Sequence, residues 1–356
     1  MISPLSNQTA QVVDWWFIYK LPIKIGPHKN STGFEFLYSD SLPENGLKLS
    51  PISLDHPESA LGLTLEQIFS PDSGYGYILW NDEIPPTPGN PKPKNKGSMG
   101  HTKGILAFSK KSNSGFYLLH STPRFPIPGA TVLPDYERKF GQTYLCVSLK
   151  DYETANQIAG ILHSQHEAQV YASHLPETDP DENLSKFAKS ETVDKPIQPI
   201  HFQFNTHNGI EFNLIAKNRR WSKAPKGSKV GRDFWKDLIG PTLKCDIDVE
   251  SWRRGIVFGD LDSEVQDITE DIVDVDLSKI GLAGFSWAFE KDHAKWGITP
   301  SIEPGYIIVS DINRQLSQAN RGGGGLAFRD PDLWNFLDQI QIVEKNIESD
   351  PHKDLS

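Results

Sequence analysis

The sequence predicts a mixed α/β fold made of two pseudo-repeated halves of sheet and helix, packed with a shared site between them. Three observations carry that prediction. The triplets His101-Thr102-Lys103 and His293-Ala294-Lys295 both place a histidine and a lysine two residues apart, which on a strand turns both side chains to one face. Each triplet is followed by the same order: an apolar strand, a polar turn, then a Gly-aromatic-apolar strand opening at Gly115 or Gly305. Elsewhere, short aromatic and β-branched runs alternate with Gly, Pro and Asn clusters, and helical periodicity is confined to a few segments. Such a repeat of order suggests an internal duplication, with residues 1–175 as the first half, 176–196 as a linker and 197–356 as the second half.

Taken in order, VDWWFIYKLP, GFEFLYSD and GYGYILWND read as strands. The stretch 84–100 holds too much Pro, Gly and Asn for regular structure; it is either a basic flap beside the site or an ordinary surface loop. QTYLCVSL is a buried strand, and Tyr152 to Gln165 a helix capped by Asp151. His163 and His166, one turn apart near its end, suit exposed residues facing the helix dipole better than a metal pair. In the second half PIHFQFN and IEFNLIAK flank a THNG turn as a hairpin. A basic loop then runs into a short helix with Phe234, Trp235 and Leu238 on its apolar side. The acidic run ending in DIVDVDLS alternates as an exposed strand does. RGGGG, residues 321–325, lies beyond the last strand and serves backbone flexibility or close approach. PDLWNFLDQIQIVEKN closes the chain as a helix with Pro331 at its start.

With 356 residues, nine Trp and 23% charged residues, the chain can bury a large core. No run reaches the roughly 20 apolar residues that cross a bilayer, and the beginning has no basic segment followed by an apolar one. Compartment therefore stays open: cytoplasmic, secreted as in bacteria, or lysosomal if the chain is a processed form. Cys146 and Cys245 read as buried thiols rather than an oxidised framework. The net charge is −10, yet residues 217–236 carry eight basic side chains against Asp233 alone, a local +7. Asp260 to Asp276 carries eight carboxylates and no base. A chain so polarised can hold a polyanion locally, although each segment alone is equally well a solvated loop. Arg219, Arg220, Lys223, Lys226 and Lys229 are the candidate phosphate contacts, and Trp221 and Trp296 the candidate base-stacking rings, a Trp packed on its own loop being the alternative.

Two histidines and two lysines in one cleft supply what a phosphodiester needs for cleavage without a metal. One imidazole attacks phosphorus, the other protonates the leaving oxygen, and the ammonium groups hold the nonbridging oxygens. One histidine must be neutral and the other charged, which favours the acid side of neutrality, about pH 5 to 6. No carboxylate cluster suggests a metal site, and no cofactor is expected.

The runs VDWWFIYKLP, MGHTKGILAF, LLHSTPRFP, GQTYLCVSL, DHAKWGI, DINRQ and RGGGG, in that order across nearly the whole chain, resemble the deoxyribonuclease II family. The resemblance implies a phospholipase D-like fold and metal-independent acid endonuclease activity on DNA, leaving 3′-phosphate and 5′-hydroxyl ends. It makes His101, Lys103, His293 and Lys295 the catalytic set, with His101 favoured as nucleophile. Phospholipase D motifs carry an aspartate downstream of each His-x-Lys, but here those places hold Phe108 and Pro300. Asp311, with Asn313 beside it, is the candidate replacement in the later copy, and His120 or Ser121 at the comparable place in the first. The few cysteines depart from animal members. DNA is the expected partner, with a homodimer as an open assembly. A lipid phosphodiesterase using the same four residues, or a weakly catalytic nucleic-acid-binding relative, are the alternatives: a basic groove would favour DNA and an apolar mouth lipid.

Overall fold

The computed structural model describes residues 1–43, 46–95, 97, 99–176, 181–191, 193–194, 196–223, 231–254, 258 and 269–343. Among them, the first-half strands are β1 (Trp15–Lys20), β2 (Phe36–Asp40), β3 (Lys48–Leu49), β4 (Gly76–Asn81), β5 (Lys103–Ser109), β6 (Ser114–His120), β7 (Gln142–Leu149) and β8 (Val170–His174). They form one sheet in the order β3-β2-β1-β7-β6-β5-β4-β8. The second-half strands are β9 (Ile200–Asn205), β10 (Glu211–Lys217), β11 (Ile247–Ser251), β12 (Thr269–Asp276), β13 (Ser286–Ala288), β14 (Lys295–Ile298), β15 (Tyr306–Ser310), β16 (Gly323–Arg329) and β17 (Gln341–Val343). Their order is β13-β12-β11-β14-β15-β16-β10-β9, with β17 beside β12.

The centres of the two sheets match strand for strand: β1-β7-β6-β5-β4 in one, β10-β16-β15-β14-β11 in the other. Both His-x-Lys lysines therefore open the equivalent strand, β5 or β14. The expected mixed α/β fold of two sheet-based halves is the architecture observed.

Inner sheet faces meet over one core in which alternate residues point inward. Trp15 of β1 packs on Phe328 of β16 at 5.2 Å between ring centroids, and Tyr19 on Trp296 at 6.2 Å. Helices α2 (Tyr152–Ile161), α3 (Glu182–Ala188) and α6 (Pro331–Ile340) add buried residues to that core. The outer face of the first sheet packs against α1 (Ala60–Phe69), whose N-cap Ser59 accepts from Gly62 N. A separate cluster under the second sheet holds Trp221 from the one-turn α4 (Arg219–Ser222), together with Phe234, Trp235 and Ile239 ahead of α5 (Gly240–Leu243).

Several expectations are confirmed in detail. Asp151 caps α2 through Thr154 N at 2.8 Å, the β9–β10 hairpin pairs Asn205 with Glu211, and both cysteines are buried and outside any disulfide. Others need correction. RGGGG does not lie beyond the last strand: Gly323 to Gly325 open β16, a central strand of its sheet. Glycine is required there because a Cβ at Gly324 would stand 2.5 Å from the Ile215 carbonyl oxygen and one at Gly325 2.9 Å from that of Val309. His166 is not an exposed helix-end residue but fully buried, in a π turn that follows α2. The terminal helix stops at Ile340, and its last residues become β17. Helix α3 lies within the polar stretch 176–196.

Candidate active site

The site is built by two short backbone segments, each leaving the start of its own sheet strand to bond to the opposite half. His101 N donates to Gly322 O at 2.9 Å, and His293 N donates to Gly141 O at 2.9 Å. Gly322 and Gly141 occupy the same place, immediately before β16 and β7. The bonds are thus reciprocal. Close approach enforces glycine on the first-half segment as well: a Cβ on Gly100 would fall 1.7 Å from the His166 carbonyl oxygen, and one on Gly322 2.6 Å from the same atom. Gly100→Ala is accordingly expected to lower the melting temperature and DNA cleavage together, because relieving the clash must part the segment that carries His101 from the His166 turn.

Asp311 fastens the first triplet. Its carboxylate accepts from Thr102 Oγ1 at 2.7 Å and from Lys103 N at 3.2 Å, while its carbonyl oxygen lies 2.7 Å from His101 Nδ1. A carbonyl only accepts, so Nδ1 carries the proton and Nε2 keeps the lone pair. The Thr102 hydroxyl spends its one proton on Asp311 and accepts from Trp80 Nε1 and His166 Nδ1, each at 3.1 Å. Burial raises the Asp311 carboxyl to about 7, against the pull of Thr102 and Lys103. Beside the imidazole, Asp82 Oδ1 meets Lys103 Nζ at 2.5 Å, and Asp82 Oδ2 lies 3.1 Å from Arg321 Nη2 and 3.9 Å from His101 Nε2.

The second triplet is held differently. Asp292 accepts from Ala294 N at 2.8 Å, from Trp287 Nε1 at 2.6 Å and from the Tyr19 hydroxyl. Phe140 stacks on the His293 ring at 4.0 Å and 11°, and Trp252 leans on it at 4.3 Å and 42°. Its Nε2 is buried with no hydrogen-bond partner among the described residues. Lys295 Nζ donates to His293 O at 2.6 Å.

The four groups are close enough to feel one another's charge. Burial, then Lys295 and Lys103, push the His293 imidazole down to about 2. Burial and then Lys103 lower Lys295 to about 7. Burial and Lys103 also push His101 well down, with Asp82 opposing and Arg321 and Lys295 assisting. Both imidazoles are therefore held neutral near pH 7 until an anion or acid changes the balance. No group of three or more His, Cys, Asp or Glu among the described residues is arranged to hold a metal ion.

Of the remaining predicted residues, His120 lies behind the first triplet and most of the others lie away from it. His120 is buried and stacked on Tyr144 at 5.8 Å, beside the Thr122 backbone and within reach of the charges on Lys103 and Asp82. Ser121 Oγ donates to Gln142 Oε1 at 2.5 Å. Asn313 is buried, and its Oδ1 has no partner among the described residues. Arg219 Nε pairs with Glu167 at 2.8 Å, while Arg220 and Lys223 are exposed; Lys226 and Lys229 lie outside the described residues. The base-stacking expectation for Trp296 is corrected, since it is fully buried between the sheets, on the strand face opposite Lys295. Trp221 packs on its own loop, with Arg232 over its ring at 5.2 Å. Sequence reasoning missed Asp82, Thr102, Phe140, Gly141, His166, Trp252 and Arg321. The signals available were the Asn81-Asp82 exit from a strand and the arginine ahead of the glycine run.

The deoxyribonuclease II family model matches residues 6–346. A Burkholderia pseudomallei protein provisionally named deoxyribonuclease-2 is 41% identical over 96% of this chain and 93% of its own. Plancitoxin-1 of Acanthaster planci is 30% identical over 96% and 92%, and deoxyribonuclease-2-alpha of Rattus norvegicus 30% over 92% and 90%. With the matched region spanning both docked triplets and both sheets, the chain belongs to the deoxyribonuclease II family.

Proposed function

We propose that this protein is an endonuclease that hydrolyses DNA phosphodiester bonds without a metal ion, most actively in acid, leaving 3′-phosphate and 5′-hydroxyl ends. The observation that carries the reading is the reciprocal docking of two His-x-Lys triplets, with opposite preparation of their rings. Family membership supports it.

In this mechanism His101 Nε2, whose lone pair is fixed by the Nδ1 contact to Asp311, attacks phosphorus. The P–O5′ bond breaks, and the leaving oxygen takes a proton from the His293 imidazolium. The phosphoryl group, still esterified to O3′, rests on His101. Neutral His293 then takes a proton from water, which attacks phosphorus; the P–N bond breaks, releasing the 3′-phosphate and regenerating both rings. Lys103 and Lys295 hold the nonbridging oxygens. Phe140 and Trp252, with faces that attract cations, steady the imidazolium. Exposed Arg220 and Lys223, with Arg219, Lys226 and Lys229, are proposed to follow the DNA backbone, and a homodimer is the proposed assembly, to be checked by light scattering.

The pH sense follows from the depressed His293 pKa. A proton held so weakly is scarce at pH 7 and commoner as pH falls, and a bound phosphodiester anion favours it further. Nicking of supercoiled plasmid in excess EDTA should therefore be faster at about pH 5 than at about pH 7.5. The new ends should accept label from polynucleotide kinase without prior phosphatase treatment. Loss of cutting in chelator, or ends that need dephosphorylation first, would overturn the reading.

A further inference from the structure

The two halves are alike in topology but not in what surrounds each histidine. Asp82 follows the last residue of β4, and the residue in that place after β11 is Trp252. Arg321 precedes Gly322, and the residue before Gly141 is Phe140. The first imidazole thus has a carboxylate and a guanidinium where the second has two aromatic rings. Asp82 is nearly buried, with a side-chain exposure of 7%, and its carboxylate bridges Lys103 Nζ, Arg321 Nη2 and the edge of His101. Arg321 is in turn anchored to Met99 O at 3.1 Å and Gly100 O at 2.9 Å.

We propose that Asp82 is a positioning residue: its carboxylate sets how much positive charge the first triplet offers a phosphodiester and how firmly His101 holds a proton. The carboxylate occupies one side of Lys103 as a phosphate oxygen would, leaving a net charge near +1 from Lys103, Arg321 and Asp82 together. Charged and titratable groups facing His101 are Lys103 on β5, Asp82 after β4, Arg321 before β16, and Lys295 on β14, with Asp311 contributing its carbonyl oxygen. Asp82 is the one anion among them that favours protonation of His101, and His120 behind it feels both Lys103 and Asp82. The inference rests on the proposed role of His101.

The test is the pH profile of kcat/KM for plasmid nicking by Asp82→Asn, Asp82→Glu and Arg321→Gln, with DNA affinity and melting temperature measured alongside. A nucleophile must be neutral, so the acid limb of the profile reports His101. Asp82→Asn should move that limb to lower pH by about one unit, tighten DNA binding and steepen its salt dependence. Arg321→Gln should move the limb the other way, and Asp82→Glu should restore the wild-type profile. Asp82→Asn leaves the Lys103 ammonium without its partner; if that variant fails to fold, the Arg321→Gln displacement decides alone. Lower melting temperature and rate with both limbs unmoved would make Asp82 a structural tie and overturn the proposal. Movement of the alkaline limb instead would keep Asp82 in its role but make His101 the general acid, reversing the assignment under Proposed function.

Discussion

Replacing His101 with alanine should reduce plasmid nicking by at least about 10⁴-fold, because in the proposed mechanism its Nε2 forms the bond to phosphorus. His293→Ala should cost about 10²- to 10⁴-fold on DNA, the range of a general acid. The two losses separate on a substrate that needs no acid. With a nucleoside 3′-(4-nitrophenyl) phosphate, whose leaving group departs as a stable anion, His293→Ala should recover formation of the phosphoryl-enzyme while His101→Ala stays inactive. Quenched-flow detection of an acid-labile, base-stable phosphoryl group on wild type and His293→Ala checks this. Recovery by His101→Ala instead would exchange the two roles.

The second large effect is on stability and comes from Glu250. This β11 residue is fully buried, and neither carboxylate oxygen has a hydrogen-bond partner among the described residues. The residue paired with it across β14 is Trp296, whose indole faces Tyr19. Burial, and then the nearby Asp292, drives the Glu250 pKa well above its ordinary 4.5, with Arg253 opposing. The folded protein therefore keeps a proton that the unfolded chain releases. The contribution is full below about pH 4.5 and is lost as pH rises towards the folded pKa, at about 1.4 kcal/mol per unit. Glu250→Gln has no proton to lose. Its stability relative to wild type should grow as pH rises above about 4.5, measured by urea unfolding at each pH. A difference independent of pH would show that the side chain is ionised and paired in the fold. Subtracting wild type from variant also removes the opposing trend of the buried histidines His101, His120, His166 and His293, whose contributions appear at higher pH and fade as it falls.

The sequence carried the triplets, the repeated strand order and the Asp151 cap, because each is a local pattern that backbone geometry converts directly into structure. It did not carry Asp82 and Arg321, which lie 239 residues apart and meet only because the end of β4 and the start of β16 lie at the same edge of the assembled sheets. Phe140 and Trp252 were invisible for the same reason: an aromatic residue in a loop does not announce which ring it will cover. Helix α1 was legible but unread, since Leu61, Leu65 and Ile68 recur at helical spacing behind the Ser59 cap. Trp296 was misassigned because neighbours on a strand face opposite ways, so the lysine that reaches the site sends the next ring into the core. RGGGG looked like a loop because glycine has no strand propensity; its place in β16 follows from how closely neighbouring backbones approach.

The bonds from His101 N to Gly322 O and from His293 N to Gly141 O have a consequence for descent. Neither half carries the carbonyl that seats its own histidine. A half-length ancestor with a single triplet could have completed the arrangement only by meeting a second copy of itself, so that partnership would have preceded the joined chain. On that descent, fusion would have freed the two seats to differ as they now do, with charge at Asp82 and Arg321 in one and aromatic rings at Trp252 and Phe140 in the other. Two identical subunits must carry every change twice, whereas one continuous chain can give each histidine its own surroundings.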